Sequence, residues 1–319
     1  MSSTLRIVFM GTPAFAVGIA DALLASNHEL VAVVTVADKP AGRGQLLQQS
    51  AMKQFAVQHE IPVLQPEKLR DPDFVGQLAA FEADLFVVVA FRMLPEVIWK
   101  MPRLGTINLH ASLLPNYRGA APINWALING ETESGVSTFF INEHIDAGAL
   151  LLQKSCPIDA TTNAGQLHDQ LCTLGAELTV ETCNQLAEGT IESRVQTASD
   201  TEVKMAPKLF KENTQIDWSN DAQQLHNLIR GLSPYPAAWC RLWSKSKQQW
   251  QQFKIFESQI LEVECPRTAG PFQRKNELYF PCKNGAIQVL SLQPEGKKRM
   301  DARSFLAGNQ PDDYFYTAQ

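Results

Sequence analysis

The sequence predicts a two-part α/β protein: a mostly parallel sheet covered by helices, followed by a small β-rich unit. Three observations point there. Short, continuous apolar runs alternate with stretches of helical periodicity through the first half, the pattern of a sheet buried on both faces. A polar stretch at 190–208 then interrupts the periodicity. Beyond it, one helical segment is followed by several short strands divided by Gly270 and Gly285, which is how small barrels read.

Taken in order, Leu5–Met10, Leu30–Val36, Leu85–Ala90, Gly105–Leu109 and Val136–Ile141 read as strands, and Phe15–Ala25, Ser50–Glu60 and Ala121–Ile128 as helices. That alternation describes a Rossmann-like domain. Its phosphate-binding fingerprint is missing, however, because the first strand runs into Gly11-Thr12-Pro13-Ala14-Phe15-Ala16 rather than Gly-x-Gly-x-x-Gly. Asp38 follows the second strand, where a ribose-binding acid sits in dinucleotide enzymes, but without the glycines no dinucleotide is expected.

Leu167, Leu171, Leu174, Leu178 and Leu186 repeat at helical spacing over Gly165–Leu186 and predict a long amphipathic helix. The expected division is 1–189, a linker at 190–208, and 209–319. In the last part Ser219–Arg230 reads as a helix capped by Ser219, and Trp239–Trp243, Trp250–Ile260, Leu278–Pro281 and Ala286–Leu292 read as strands.

The chain has 319 residues, 45% hydrophobic and 19% charged, within the range of globular domains and long enough for two cores. Met1–Arg6 leads directly into a strand, and no apolar run approaches the ~20 residues of a membrane helix, so a cytoplasmic protein is expected. Six cysteines, Cys156, Cys172, Cys183, Cys240, Cys265 and Cys282, show no Cys-x-x-Cys pair and read as reduced thiols; no metal is expected. Charge is uneven, with −9 over residues 1–205 and +4 over 206–319. A basic second half suits a polyanion, and an ordinary solvated surface has the same composition.

Chemistry concentrates at 106–148. On a strand ending near Leu109, Asn108 and His110 project to one face. Pro115 and Gly119 break the structure after them, and Asp146 precedes Ala147 and Gly148 beyond the next apolar run. An amide, an imidazole and a carboxylate at strand ends can polarise a carbonyl and move a proton, which is acyl transfer without a nucleophilic side chain. The same residues also fit a satisfied core histidine, a turn-forming asparagine and a capping aspartate.

Asn108-Leu-His110-Ala-Ser112-Leu-Leu-Pro115-Asn-Tyr-Arg118-Gly-Ala-Ala-Pro122, with Asp146-Ala-Gly148 downstream, resembles the folate-dependent formyltransferases. The likeness extends through Gly11-Thr12-Pro13, Asp38–Gly44, Ile216-Asp217-Trp218, Pro234–Trp239 and Leu292–Lys298, nearly the whole chain. The Ala41-Gly42-Arg43-Gly44 loop and the carboxy-terminal motifs resemble the branch whose acceptor is initiator methionyl-tRNA. Where relatives carry lysines after that arginine and Ala-Tyr-Gly near the pocket, this chain has Gln45-Leu46-Leu47 and Ala90-Phe91-Arg92.

The resemblance implies 10-formyltetrahydrofolate as cosubstrate and Asn108, His110 and Asp146 as catalytic residues. It also implies folate contacts at Ser112, Leu113, Leu114, Pro115, Phe91 and Arg92. Lys39, Arg43, Lys208, Lys297, Lys298 and Arg299 would meet tRNA, and 209–319 would form an OB-like tRNA-binding domain in a monomeric enzyme. Two other readings stay open: formyl transfer to an amino sugar nucleotide or other small amine, and a noncatalytic RNA-binding protein.

Overall fold

The computed structural model describes residues 4–41, 46–197, 203–261 and 270–317. They form two compact units, one of residues 1–119, 133–157 and 168–205, the other of 120–132, 158–167 and 206–319.

In the first unit the chain runs β1 (Arg6–Gly11), α1 (Ala14–Leu24), β2 (Glu29–Val34), β3 (Lys39–Ala41), β4 (Leu46–Gln48), α2 (Ala51–Gln58), β5 (Val63–Leu64), α3 (Pro72–Ala79), β6 (Leu85–Val89), α4 (Glu96–Trp99), β7 (Thr106–His110) and β8 (Arg118–Gly119). After α5 (Pro122–Ile128), which belongs to the second unit, come β9 (Glu133–Phe140), β10 (Leu150–Pro157) and α6 (Ala164–Glu188). The seven-stranded sheet has the order β10-β9-β7-β6-β1-β2-β5.

Neighbours from β5 to β7 are parallel, while β9 and β10 are antiparallel. β6, Leu-Phe-Val-Val-Val, is buried throughout, as a central parallel strand must be. The chain fills the sheet outward from β1 in one direction and then from β6 in the other. A reversal of this kind opens a crevice beyond the carboxyl ends of the strands. Gly11 ends β1 there with a hydrogen where a Cβ would meet Ala16 Cβ at 2.6 Å and the Val89 carbonyl at 3.0 Å.

The fold class agrees with the sequence reading, and several details differ. β10 and α3 fall where no element was expected. β10 is an edge strand whose residues beyond the first two alternate between half-buried and exposed, so it has no continuous apolar run. β3, inside the Asp38–Gly44 stretch read as a loop, pairs with β4 just beyond it as a short hairpin.

The second unit holds α5, β11 (Met205–Ala206, at its border), α7 (Ala222–Leu232), β12 (Ala238–Ser244), β13 (Gln249–Leu261), β14 (Phe272–Arg274), β15 (Glu277–Cys282), β16 (Gly285–Pro294), β17 (Met300–Asp301), α8 (Ala302–Leu306) and β18 (Tyr314–Phe315). The helix α7 begins at Asp221, not Ser219: Asp221 and Gln224 form a reciprocal capping box. That cap satisfies two exposed N–H groups where a lone serine would satisfy one.

The antiparallel sheet has the order β14-β15-β16-β13-β12-β18, with a core that includes Leu225, Ile229, Cys240, Phe253, Ile255, Phe280 and Val289. It curls until Gly270, just before β14, lies against β18. A Cβ there would stand 2.0 Å from the Tyr314 carbonyl oxygen. Such a sheet matches the OB-like expectation. Among the described residues no helix is long and apolar enough to cross a membrane.

Candidate active site

β7 carries Asn108 and His110 on one face, held in register by Val88 of β6 and by Phe139 and Ser137 of β9. His110 is buried, and its Nε2 lies 2.8 Å from the Tyr117 carbonyl oxygen. A carbonyl only accepts, so Nε2 carries the hydrogen and Nδ1 is left facing the carboxylate of Asp146. That separation is 3.9 Å, within reach of an ion pair and too long for a hydrogen bond. The Tyr117 carbonyl, rather than Asp146, therefore fixes the ring.

Tyr117 takes φ +61° to present this carbonyl. Its own N–H is held by the Lys204 carbonyl at 2.6 Å. Asp146 sits in the loop between β9 and β10, also with a left-handed backbone at φ +51°, and its Oδ2 accepts the Gly119 N–H at 2.9 Å. The Asn108 side chain is half-buried and makes no hydrogen bond among the described residues. Its amide is free to donate.

The Ser112–Pro115 loop is anchored from β9 and β10. Ser137 Oγ donates to the Ser112 carbonyl at 2.6 Å and accepts the Leu114 N–H at 3.1 Å. Gln153 Nε2 donates to the Leu114 carbonyl at 3.0 Å and to Ser137 Oγ at 2.8 Å. Leu114 packs with Phe139 and Leu150, Leu113 is half-buried, Ser112 Oγ donates to the Asn116 carbonyl at 2.7 Å, and the Leu114–Pro115 peptide is cis.

Phe91 and Arg92 follow β6 at the crevice. The Arg92 guanidinium stands 5.6 Å from the Phe91 ring centroid and donates to the carbonyls of Pro66 and Glu67. Among the described residues its Nε is buried without a partner, and burial pulls the group below its ordinary pKa. Arg92 lines a cleft of about 820 Å³ with Lys68, Arg70, Leu94, Trp99 and Glu143. Asn108, His110 and Asp146 are not in that lining.

Of the residues expected at tRNA, Arg43 lies outside the described residues. Lys39, Lys208, Lys297 and Lys298 are exposed. Arg299 is engaged within the protein: it stands 4.4 Å from the Phe256 ring centroid, donates to Ser291 Oγ at 2.8 Å and pairs with Glu257. Among the described residues no group of three or more His, Cys, Asp or Glu is arranged to hold a metal.

Sequence reasoning missed the groups that hold these side chains and the Ser112–Pro115 loop: the Tyr117 carbonyl, the Gly119 N–H, Ser137 and Gln153. Backbone groups leave no side-chain signature, and Ser137 alternates correctly on β9 like any strand residue.

A largely parallel sheet thus brings an amide, an imidazole and a carboxylate to one end of β7, chemistry suited to acyl transfer, and the chain's relatives supply the family. Residues 5–183 match the formyl transferase family and residues 208–310 its C-terminal domain. The chain belongs to the formyl transferase family. It is 52% identical over 305 residues to a protein named methionyl-tRNA formyltransferase from Flavobacterium johnsoniae, covering 95% of this chain and 96% of that protein. Its namesake from Bacteroides fragilis is 48% identical, with 95% of each covered.

Among solved structures, HypX from Aquifex aeolicus in complex with tetrahydrofolic acid superimposes with a TM-score of 0.64 at 17% identity, over 95% of this chain and 47% of that one. The chain thus spans about half the length of HypX. WlaRD, a sugar 3N-formyl transferase, gives 0.64 at 18% identity, over 93% of this chain and all of that one. These two likenesses show the fold.

Proposed function

We propose that this protein transfers the formyl group of 10-formyltetrahydrofolate to the α-amino group of methionine on initiator methionyl-tRNA, in the cytoplasm and as a monomer. The observation that carries the chemistry is His110 Nδ1 facing Asp146 at 3.9 Å, on the face of β7 that also bears Asn108. Near-full-length identity to proteins named for this reaction supports the choice of acceptor.

The donor formyl sits on an aryl-substituted nitrogen, which shares its lone pair with the ring and leaves the carbonyl activated. The acceptor is an α-amine with a pKa of roughly 7.7–8.0 in peptides, so much of it is neutral near pH 7.5 and attacks the formyl carbon directly. The tetrahedral oxygen takes a hydrogen bond from the Asn108 amide and, once Nδ1 is protonated, one from His110. Asp146 stabilises that imidazolium and receives the proton of the attacking nitrogen, directly or through water. Collapse breaks the bond to the aryl nitrogen, which leaves carrying the proton that the attacking amine gave up to Asp146, so the carboxylate is regenerated.

Ser112, Leu113, Leu114, Pro115, Phe91 and Arg92 contact the folate. Residues 1–189 form the catalytic part and 190–208 the linker. Residues 209–319 form the tRNA-binding part, with Lys297 and Lys298, and Lys208 just before that part, at the phosphates, while Arg299 reaches a phosphate only by giving up its pairing with Glu257. Lys39 and Arg43 act from the first part.

Purified protein, a formyl-folate donor and charged initiator tRNA test the reading. Formyl-methionyl-tRNA should accumulate with enzyme. Its absence rejects the proposal, and product from an amino sugar nucleotide instead would move the acceptor to a small amine.

A further inference from the structure

Gln196 lies in the stretch read from sequence as linker, yet it is built into the site. We infer that Gln196 is a positioning residue that holds the Asp146 loop in its working geometry. The inference rests on the formyl-transfer reading given above.

Asp146 has a left-handed backbone at φ +51°, a region that aspartate enters more readily than most residues but that its surroundings must still enforce over the ordinary one. The Gln196 side chain supplies that enforcement. Its Nε2 donates to the carbonyls of Asp146 and Gly148, each at 2.9 Å. Its Oε1 accepts from Arg118, at 3.2 Å from Nε and 2.5 Å from Nη2. Carbonyls only accept and a guanidinium only donates, so a single orientation of the amide satisfies both sides.

The next residue after Arg118, Gly119, donates its N–H to the Asp146 carboxylate. A closed circuit results, running from the Asp146 carbonyl through Gln196 and Arg118 to Gly119 and back to Asp146 Oδ2. The neighbouring backbone sets Gln196 in place. Arg194 and Leu150 exchange two N–H···O bonds of 2.8 and 2.7 Å, joining this segment to the start of β10. The loop carrying Asp146 is thereby tied along its β10 side.

Gln196 is half-buried, so water can serve the carbonyls when the amide is lost. The effect then falls on geometry rather than on folding. Gln196→Met keeps the length and removes every hydrogen bond. Gln196→Glu keeps the acceptor for Arg118 and sets an oxygen against two carbonyls.

In formylation assays both variants should lose about 10- to 100-fold in kcat, the scale on which small misplacements act, with KM for either substrate within about twofold. In the double variant Gln196→Met, Asp146→Asn, turnover should be no slower than in Asp146→Asn alone, because Gln196 acts through Asp146. The second readout needs no activity. Hydrogen exchange at the Gly119 amide should quicken by about tenfold in Gln196→Met as its bond to Asp146 loosens.

Unchanged Gly119 exchange overturns the inference, as do losses that multiply in the double variant. A loss of thermal stability with kcat intact also overturns it. If the wild type forms no formyl-methionyl-tRNA, the functional reading fails by itself, and Gly119 exchange still decides what Gln196 does.

Discussion

His110 and Asp146 approach within 3.9 Å, but they are held by different physics. β7 is hydrogen-bonded on both sides, by β6 and β9, so the backbone ladder fixes where Asn108 and His110 point. The Asp146 loop has no ladder along residues 142–148. Its geometry comes from side chains and single backbone groups: Gln196, the Gly119 N–H, and a glycine at 148 where nothing larger fits. A strand makes the direction of its side chains robust to their neighbours, whereas a loop makes its residue depend on several distant positions.

The largest effect tests the strand side. Removing an oxyanion donor typically costs about 100- to 1,000-fold in rate, and Asn108→Ala and His110→Ala should each lower kcat on that scale. Because the ladder does not need either side chain, circular dichroism and the urea midpoint of Asn108→Ala should stay near wild type. A matching loss of stability in Asn108→Ala would mean that the strand is not the independent scaffold described.

On the loop side, Gly148→Ala places a Cβ 1.6 Å from the Phe140 carbonyl oxygen. Backbone cannot swing away as a side-chain tip can, so the β9–β10 turn must shift. A loss of about 3 kcal/mol is expected from the urea midpoint, the upper part of the overpacking range, with turnover reduced as well. Wild-type stability would show that the turn has room the geometry denies.

Ser137→Ala probes the strut beneath the Ser112–Pro115 loop. It removes a buried hydroxyl that donates to one backbone carbonyl and accepts from the Leu114 N–H and from Gln153. Leaving these groups unpaired should cost about 1–2 kcal/mol. Since the loop is assigned to folate, KM for the donor should rise while kcat changes less. A change confined to kcat would instead tie this loop to the chemistry.

The same contrast explains what the sequence disclosed. Alternation along a strand is written in side chains, so the common face of Asn108 and His110 and the buried run Leu85–Val89 were legible. The clamp on Asp146 was not, because Tyr117, Gly119 and Gly148 act through backbone atoms, and Gln196 sits in a polar stretch that resembles any connector. β10 escaped for a related reason: one face is solvated, and six of its eight residues are half-buried or exposed. Asp221 was passed over in favour of Ser219 because both precede the helix, and the reciprocal bond with Gln224 that decides between them is a matter of geometry.

A third loop in the same unit offers the mildest test of side-chain pinning. The β3–β4 hairpin leaves the sheet at Asp38, whose carboxylate is bonded by Lys53 Nζ and, at 2.8 Å, by Gln65 Nε2. The hydrogen bond from Lys53, then that from Gln65, holds the Asp38 pKa below the ordinary aspartate value. A carboxylate depressed in the folded state stabilises above its unfolded pKa of about 3.9, and that contribution disappears as pH falls through the folded value. Asp38→Asn should therefore be less stable than wild type at pH 6, and the difference between their urea midpoints should narrow steadily below about pH 4. Other depressed carboxylates, such as Asp217 and Asp301, titrate equally in both proteins and cancel in the difference. A gap that stays constant from pH 6 to pH 3 would mean that the charge of Asp38 does not pin the hairpin, and that packing alone holds this loop where polar side chains hold the one bearing Asp146.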